Sequence, residues 1–154
     1  MSYDLMVFEP SAAPRDRAEF RTWYDAQTQW SEPHGYNDPA VTSPALRRWY
    51  EAMIREFPNL NDPNLRDEDL NDRLTDYSIG TQLIYAGFRW SEADEAYDAV
   101  RRLAVEHEVG FYDVSGDDGA GEIHFPGDAL RPKSTSQERE WIITFPEFPD
   151  QEES

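Results

Sequence analysis

Asp62, Asp67, Glu68, Asp69 and Asp72 fall within NLNDPNLRDEDLNDRL, residues 59–74, where only Arg66 and Arg73 oppose them. Acids this dense invite a calcium loop. An EF-hand read from Asp62 requires oxygen donors at 64 and 66, a glycine at 67 and a glutamate at 73. The chain has Asn64, Arg66, Asp67 and Arg73 there, so it lacks both the residue that turns such a loop and the acid that closes it on the ion. DVSGDDGAGE, from Asp113 to Glu122, comes nearer, but its glycine is one place late and the loop is short. Gly and Asp are also what a hairpin turn takes.

The other chemistries fail on spacing. His34, His107 and His124 share no metal-ligand interval. His107 ends a helical pattern, where the dipole favours a cation, and His124 should point outward from a strand EIHF. No G-x-S-x-G elbow is present, and the acids of GDDGAG would repel a phosphate. With 32 Asp and Glu, carboxylate pairs arise by chance and say nothing about glycosidic chemistry. The chain has no cysteine, which removes thiolate chemistry and disulfides. No catalytic residue, metal ligand or cofactor is therefore expected.

Binding remains. A formal net charge of -18 repels nucleic-acid phosphates and anionic lipid, and it attracts basic proteins and speeds their encounter. Trp30 and Tyr36 lie in a loop with Glu32 and His34, and Trp and Tyr are common interface anchors. Trp90 has similar surroundings beside Glu92. The expected partner-binding residues are thus Trp30, Glu32, His34 and Tyr36 together with Asp62, Asp67, Glu68, Asp69 and Asp72.

These residues need a scaffold, and the periodicities supply one. SYDLMVFE alternates Tyr3, Leu5 and Val7 against Asp4, Met6 and Phe8, as a strand does. Phe20, Trp23, Tyr24 and Gln27 follow helical spacing between Arg15 and Trp30. Ser43 and Pro44 open a second helix with Leu46, Trp49, Tyr50, Met53, Ile54 and Phe57 on its stripe, closed by Pro58. TDYSIGTQLIYAGFRW reads as two short strands with a turn or bulge near Gly80, or as one longer bent strand. Ser91, with Asp94 three residues on, predicts a capping box for a third helix that Gly110 would end in a left-handed conformation. GFYDVS and EIHF complete the order β, α, α, β, β, α, β, β.

The expected fold is α+β: one antiparallel or mixed sheet with helices packed on one face, a ferredoxin-like split βαβ core with an extra helix. Residues 1–125 form one compact domain in this reading, and 126–154 a polar, acidic extension with a possible strand at 141–145. The 5 Trp, 8 Tyr and 8 Phe provide a core that acidic disordered chains lack. No signal peptide and no apolar run of about 18 residues is visible, so a cytosolic protein is expected.

MSYDLMVFEP, WSEPHGYNDP, YSIG, IYAGFRWS and VGFYDVS resemble segments of small acidic bacterial proteins that open with the same kind of strand. Relatives of that size and charge are frequently immunity proteins of contact-dependent or secreted toxin systems. The resemblance covers residues 1 to 125 and brings no catalytic motif. It implies an inhibitory module that blocks a cognate toxin with a basic surface. Two other readings stay open: a small enzyme with carboxylates in a cleft, and an acidic regulatory or DNA-mimicking protein with another basic partner.

Overall fold

The computed structural model describes residues 2–116 and 121–127. Strand β1 (Tyr3–Phe8) is its centre, because Leu5, Met6, Val7 and Phe8 are all fully buried. A strand that is apolar on both sides belongs in the middle of a sheet with cover on both faces. It pairs antiparallel with β3 (Leu83–Phe88) on one side and β4 (Gly110–Tyr112) on the other. Strands β2 (Asp76–Ile79) and β5 (Ile123–His124) add outside these, giving the order β2-β3-β1-β4-β5, antiparallel throughout. β1 and β2 run the same way with β3 inserted between them, and β3 and β4 flank β1 likewise. This is the split βαβ topology expected from the element order.

The connecting helices are α1 (Arg17–Gln27), α2 (Pro44–Glu56) and α3 (Ala93–Glu106). α2 starts as its sequence predicts: Ser43 Oγ accepts a hydrogen bond from the Leu46 amide at 3.3 Å, with Pro44 in the first turn. α2 and α3 cover one face, bringing Trp49, Met53, Val100 and Leu103 onto Leu5, Val7, Ile84 and Phe111. α1 lies on the opposite face, where Phe20, Trp23 and Tyr24 meet Met6, Phe8 and Tyr112. Helices on one face were expected. The extra helix crosses over because Met6 and Phe8 alternate with Leu5 and Val7, and one helical layer shields only one side.

Three local expectations change. Ser91 does not cap α3: the chain leaves β3 through a 3-10 turn at Trp90–Glu92, and the cap position, Glu92, makes no side-chain bond. Gly110 does not end α3 either, since Glu108 takes the left-handed conformation (φ 60°) and Gly110 begins β4. A Cβ on Gly110 would lie 2.2 Å from Phe8 Cε2 and Cζ, so this glycine makes room for a ring. His124 turns inward opposite Phe111 and is buried, with neither ring nitrogen hydrogen-bonded. The strand expected at 141–145 lies outside the described residues.

Candidate functional site

The loop after α1 folds back on the β2–β3 turn, and Glu32 ties the two together. Its Oε1 accepts from the Thr81 amide at 3.1 Å and its Oε2 from Thr81 Oγ1 at 3.3 Å, while its own amide donates to Tyr36 Oη at 2.8 Å. Gly80 leaves the space: a Cβ there would stand 3.3 Å from Glu32 Oε2. His34 Nε2 contacts Glu32 Oε1, and Nδ1 lies 2.7 Å from the Gly35 carbonyl. With an acceptor at each ring nitrogen, the imidazolium is the better-bonded form. The Gly35 carbonyl and then the Glu32 carboxylate accordingly push the His34 pKa up.

Trp30 sits where this loop meets the sheet, with a left-handed backbone (φ 54°) that is strained for a bulky side chain. Its ring packs edge-on against Tyr36 at 5.1 Å and Tyr85 at 6.0 Å between centroids. It lines a cleft of about 320 Å³ on the α1 side of the sheet, at the C-terminal end of α1. Asp4, Tyr24, Asp76, Ser78, Tyr85 and Gly87 also line it. Asp4 Oδ1 accepts from Ser2 Oγ at 2.5 Å, and Oδ2 from Tyr85 Oη at 2.6 Å. Burial, reinforced by that bond to Asp4, pushes the Tyr85 hydroxyl far up, so it remains a donor at any physiological pH.

The acidic segment joins α2 to β2 and is pinned at both ends. At its start, Asn59 Nδ2 donates to Tyr50 Oη at 2.9 Å and Asn59 Oδ1 accepts from the Asn61 amide at 2.8 Å. The Leu60 amide donates to the Thr75 carbonyl at 2.8 Å, and the Thr75 amide to the Pro58 carbonyl at 2.9 Å. At its end, Arg73 contacts Glu95, meets Glu92 at 3.1 Å and lies 4.7 Å from the centre of the Phe57 ring. Between these anchors Asp62, Asp67, Glu68 and Asp72 are exposed, and Asp67–Asp69 form one 3-10 turn. The Arg66–Glu68 pair at 3.0 Å and the Arg89–Asp72 pair at 3.8 Å are solvent-exposed and hold little energy.

The expected site residues therefore form two groups. Trp30, Glu32, His34 and Tyr36 come together at the β2–β3 turn. Asp62, Asp67, Glu68, Asp69 and Asp72 occupy the separate connection before β2. Asn61 links the second group to the cleft, since its Nδ2 donates to Asp76 Oδ1 at 3.0 Å. Asp4, Asp76 and Tyr85 were not singled out by sequence. The one signal was Asp4, a charge on a strand face that otherwise carries Met6 and Phe8.

The outer border of β2 is closed by its own chain. The Ile79 amide donates to the Tyr36 carbonyl at 2.8 Å, and Thr75 bridges to Asn59 at the other end. No three or more His, Asp or Glu side chains converge into a metal-holding group among the described residues. No helix among them is long and apolar enough to cross a membrane.

Fold and surface together define an α+β protein of split βαβ topology bearing an acidic, anchored loop beside an aromatic cleft. No protein-family model, curated protein or solved structure matches the chain.

Proposed function

We propose that the chain is an immunity-type binding protein that acts in the cytoplasm, neutralising a cognate protein toxin by direct contact and turning over no substrate. One observation carries this reading. Leu60, Leu70 and Trp90 are 49%, 58% and 50% exposed, and they lie in or beside the acidic segment, Trp90 being joined to it through Arg89 and Asp72. Exposed apolar side chains set among acidic ones fit the composition of a protein interface, where apolar groups supply affinity and charges supply steering. The anchoring of the loop adds to this, because a preordered surface loses less entropy on binding. The rim is acidic, so the complementary partner surface is basic.

The test captures the partner from source-cell lysate with the purified chain and then compares the chain with the combined variant Asp67→Asn, Glu68→Gln, Asp69→Asn and Asp72→Asn. The variant should keep the fold while losing protection against the captured toxin. Association of the parent chain should slow with added salt much more than dissociation does, since charges beyond about 8 Å are screened at physiological ionic strength. Full protection by the variant, or an on-rate indifferent to salt, would overturn the reading.

A further inference from the structure

Asp4, Gly87 and Asp76 form one row across three strands, because Asp4 pairs with Gly87 on β1 and β3 and Gly87 with Asp76 on β3 and β2. Two strand spacings separate the outer α-carbons by about 10 Å. The middle position has no side chain, so the row is a gap between two carboxylates, floored by backbone. Tyr24, Tyr85 and Trp30 line it with rings. We infer that this gap is a socket for one arginine side chain of the protein partner, an assignment that rests on the partner being a basic protein.

The chemistry selects guanidinium over the alternatives. A planar cation can lie against an aromatic face and still donate in its own plane to carboxylates on either side. An ammonium is a point charge with a tighter water shell and cannot do both. Asp4 keeps acceptor capacity beyond the two hydroxyls it already holds, since a carboxylate offers about four lone-pair sites. Asp76 is exposed and accepts from Asn61 through Oδ1. A metal ion lacks a third ligand here among the described residues. A second copy of the chain is disfavoured by its own charge of -18. The socket also adjoins the acidic loop through Asn61, so one basic surface can reach both.

The test titrates the isotope-labelled full chain with arginine blocked at both backbone ends, at about 0.15 M ionic strength, and follows amide and indole NMR shifts. Saturable shifts are expected at the Trp30 indole and at the Thr28, Ser78 and Gly87 amides. The equivalent blocked lysine should bind at least about fivefold more weakly. Asp76→Asn should weaken arginine about tenfold by removing a charge-assisted bond. Gly87→Ala should do the same by filling the gap without a clash, since the added Cβ would lie 3.4 Å from Asp4 Oδ1 and 3.5 Å from Ser2. Absent shifts, shifts confined to residues 60–72, equal binding of lysine, or an unchanged response in both variants would overturn the socket. Stronger binding of free arginine than of the blocked form would make it a metabolite pocket and overturn the partner assignment. Failure here is distinguishable from failure of the proposed function, which is read separately by protection with the loop variant.

Discussion

Replacing Gly110 with alanine tests the packing of the sheet face that carries the cleft. The added Cβ would stand 2.2 Å from Phe8 Cε2 and Cζ and 2.6 Å from Cδ2. An ordinary carbon contact is about 3.5 Å, so the ring has to move by about 1.3 Å. It has nowhere to go. Phe8 is fully buried, and its ring is met by Phe20 at 5.1 Å, Phe125 at 5.2 Å and Trp23 at 6.0 Å between centroids. Overpacking of a filled core costs about 1–3 kcal/mol, and this geometry belongs at the upper end. Alanine also restricts the unfolded chain, which returns about 0.4–1 kcal/mol. The net loss is about 2 kcal/mol, or a fall in Tm of roughly 4–8 °C for a domain of this size. Urea and thermal unfolding followed by circular dichroism measure it. Phe8→Leu should restore part of the loss when combined with Gly110→Ala, giving a coupling of at least about 0.5 kcal/mol. A Gly110→Ala protein within about 0.5 kcal/mol of the parent, or strict additivity with Phe8→Leu, would refute the argument.

His34 should titrate above its ordinary value of 6.5, read from its ring proton by NMR, and Glu32→Gln should bring the midpoint down. A raised folded pKa means that the bonding of His34 stabilises fully below about pH 6.5 and is lost as pH rises through the folded value. The Thr81 amide should therefore be better protected from exchange, after correction for intrinsic rates, at about pH 6 than at about pH 8. Asn59→Ala should cost about 1–2 kcal/mol in urea unfolding, because it strips a buried bond from Tyr50 and another from the Asn61 amide. The same variant should speed exchange at Leu60 and Asp62, and unchanged exchange would mean that the loop is held by other contacts.

Much of the scaffold is written in local patterns. The alternation of β1, the Ser43-Pro44 start of α2, the apolar stripe of α3 and the Gly80 turn each announce an element within a few residues. The order of those elements then leads to the split βαβ sheet. What local patterns omit is the side of the sheet on which a helix lands. Nothing in Phe20, Trp23 and Tyr24 says that they face Met6 and Phe8 and leave Leu5 and Val7 to α2 and α3. Ser91 and Gly110 show the same limit, since their spacing fits a helix start and stop while their neighbours in space assign them a 3-10 entry and a ring cavity.

The candidate site divides the same way. The acids of 62–72 and the Trp30–Tyr36 loop stand out as sequence runs. The cleft does not, because Asp4, Gly87 and Asp76 meet only through the register of three strands distant in the chain. Asn59 is one of several asparagines in a polar stretch, yet it is buried while Leu60, Asn61 and Asn64 are exposed.

Because Tyr36 and the stretch from Pro58 to Leu60 already pair with the two ends of β2, a foreign peptide finds no long open run of main-chain groups along that border. On the proposed reading, preference for one partner over another resides in side chains of the acidic loop and of the cleft, where single replacements alter the match and leave the framework standing. A binding protein built in this way could follow a changing partner by small steps without refolding.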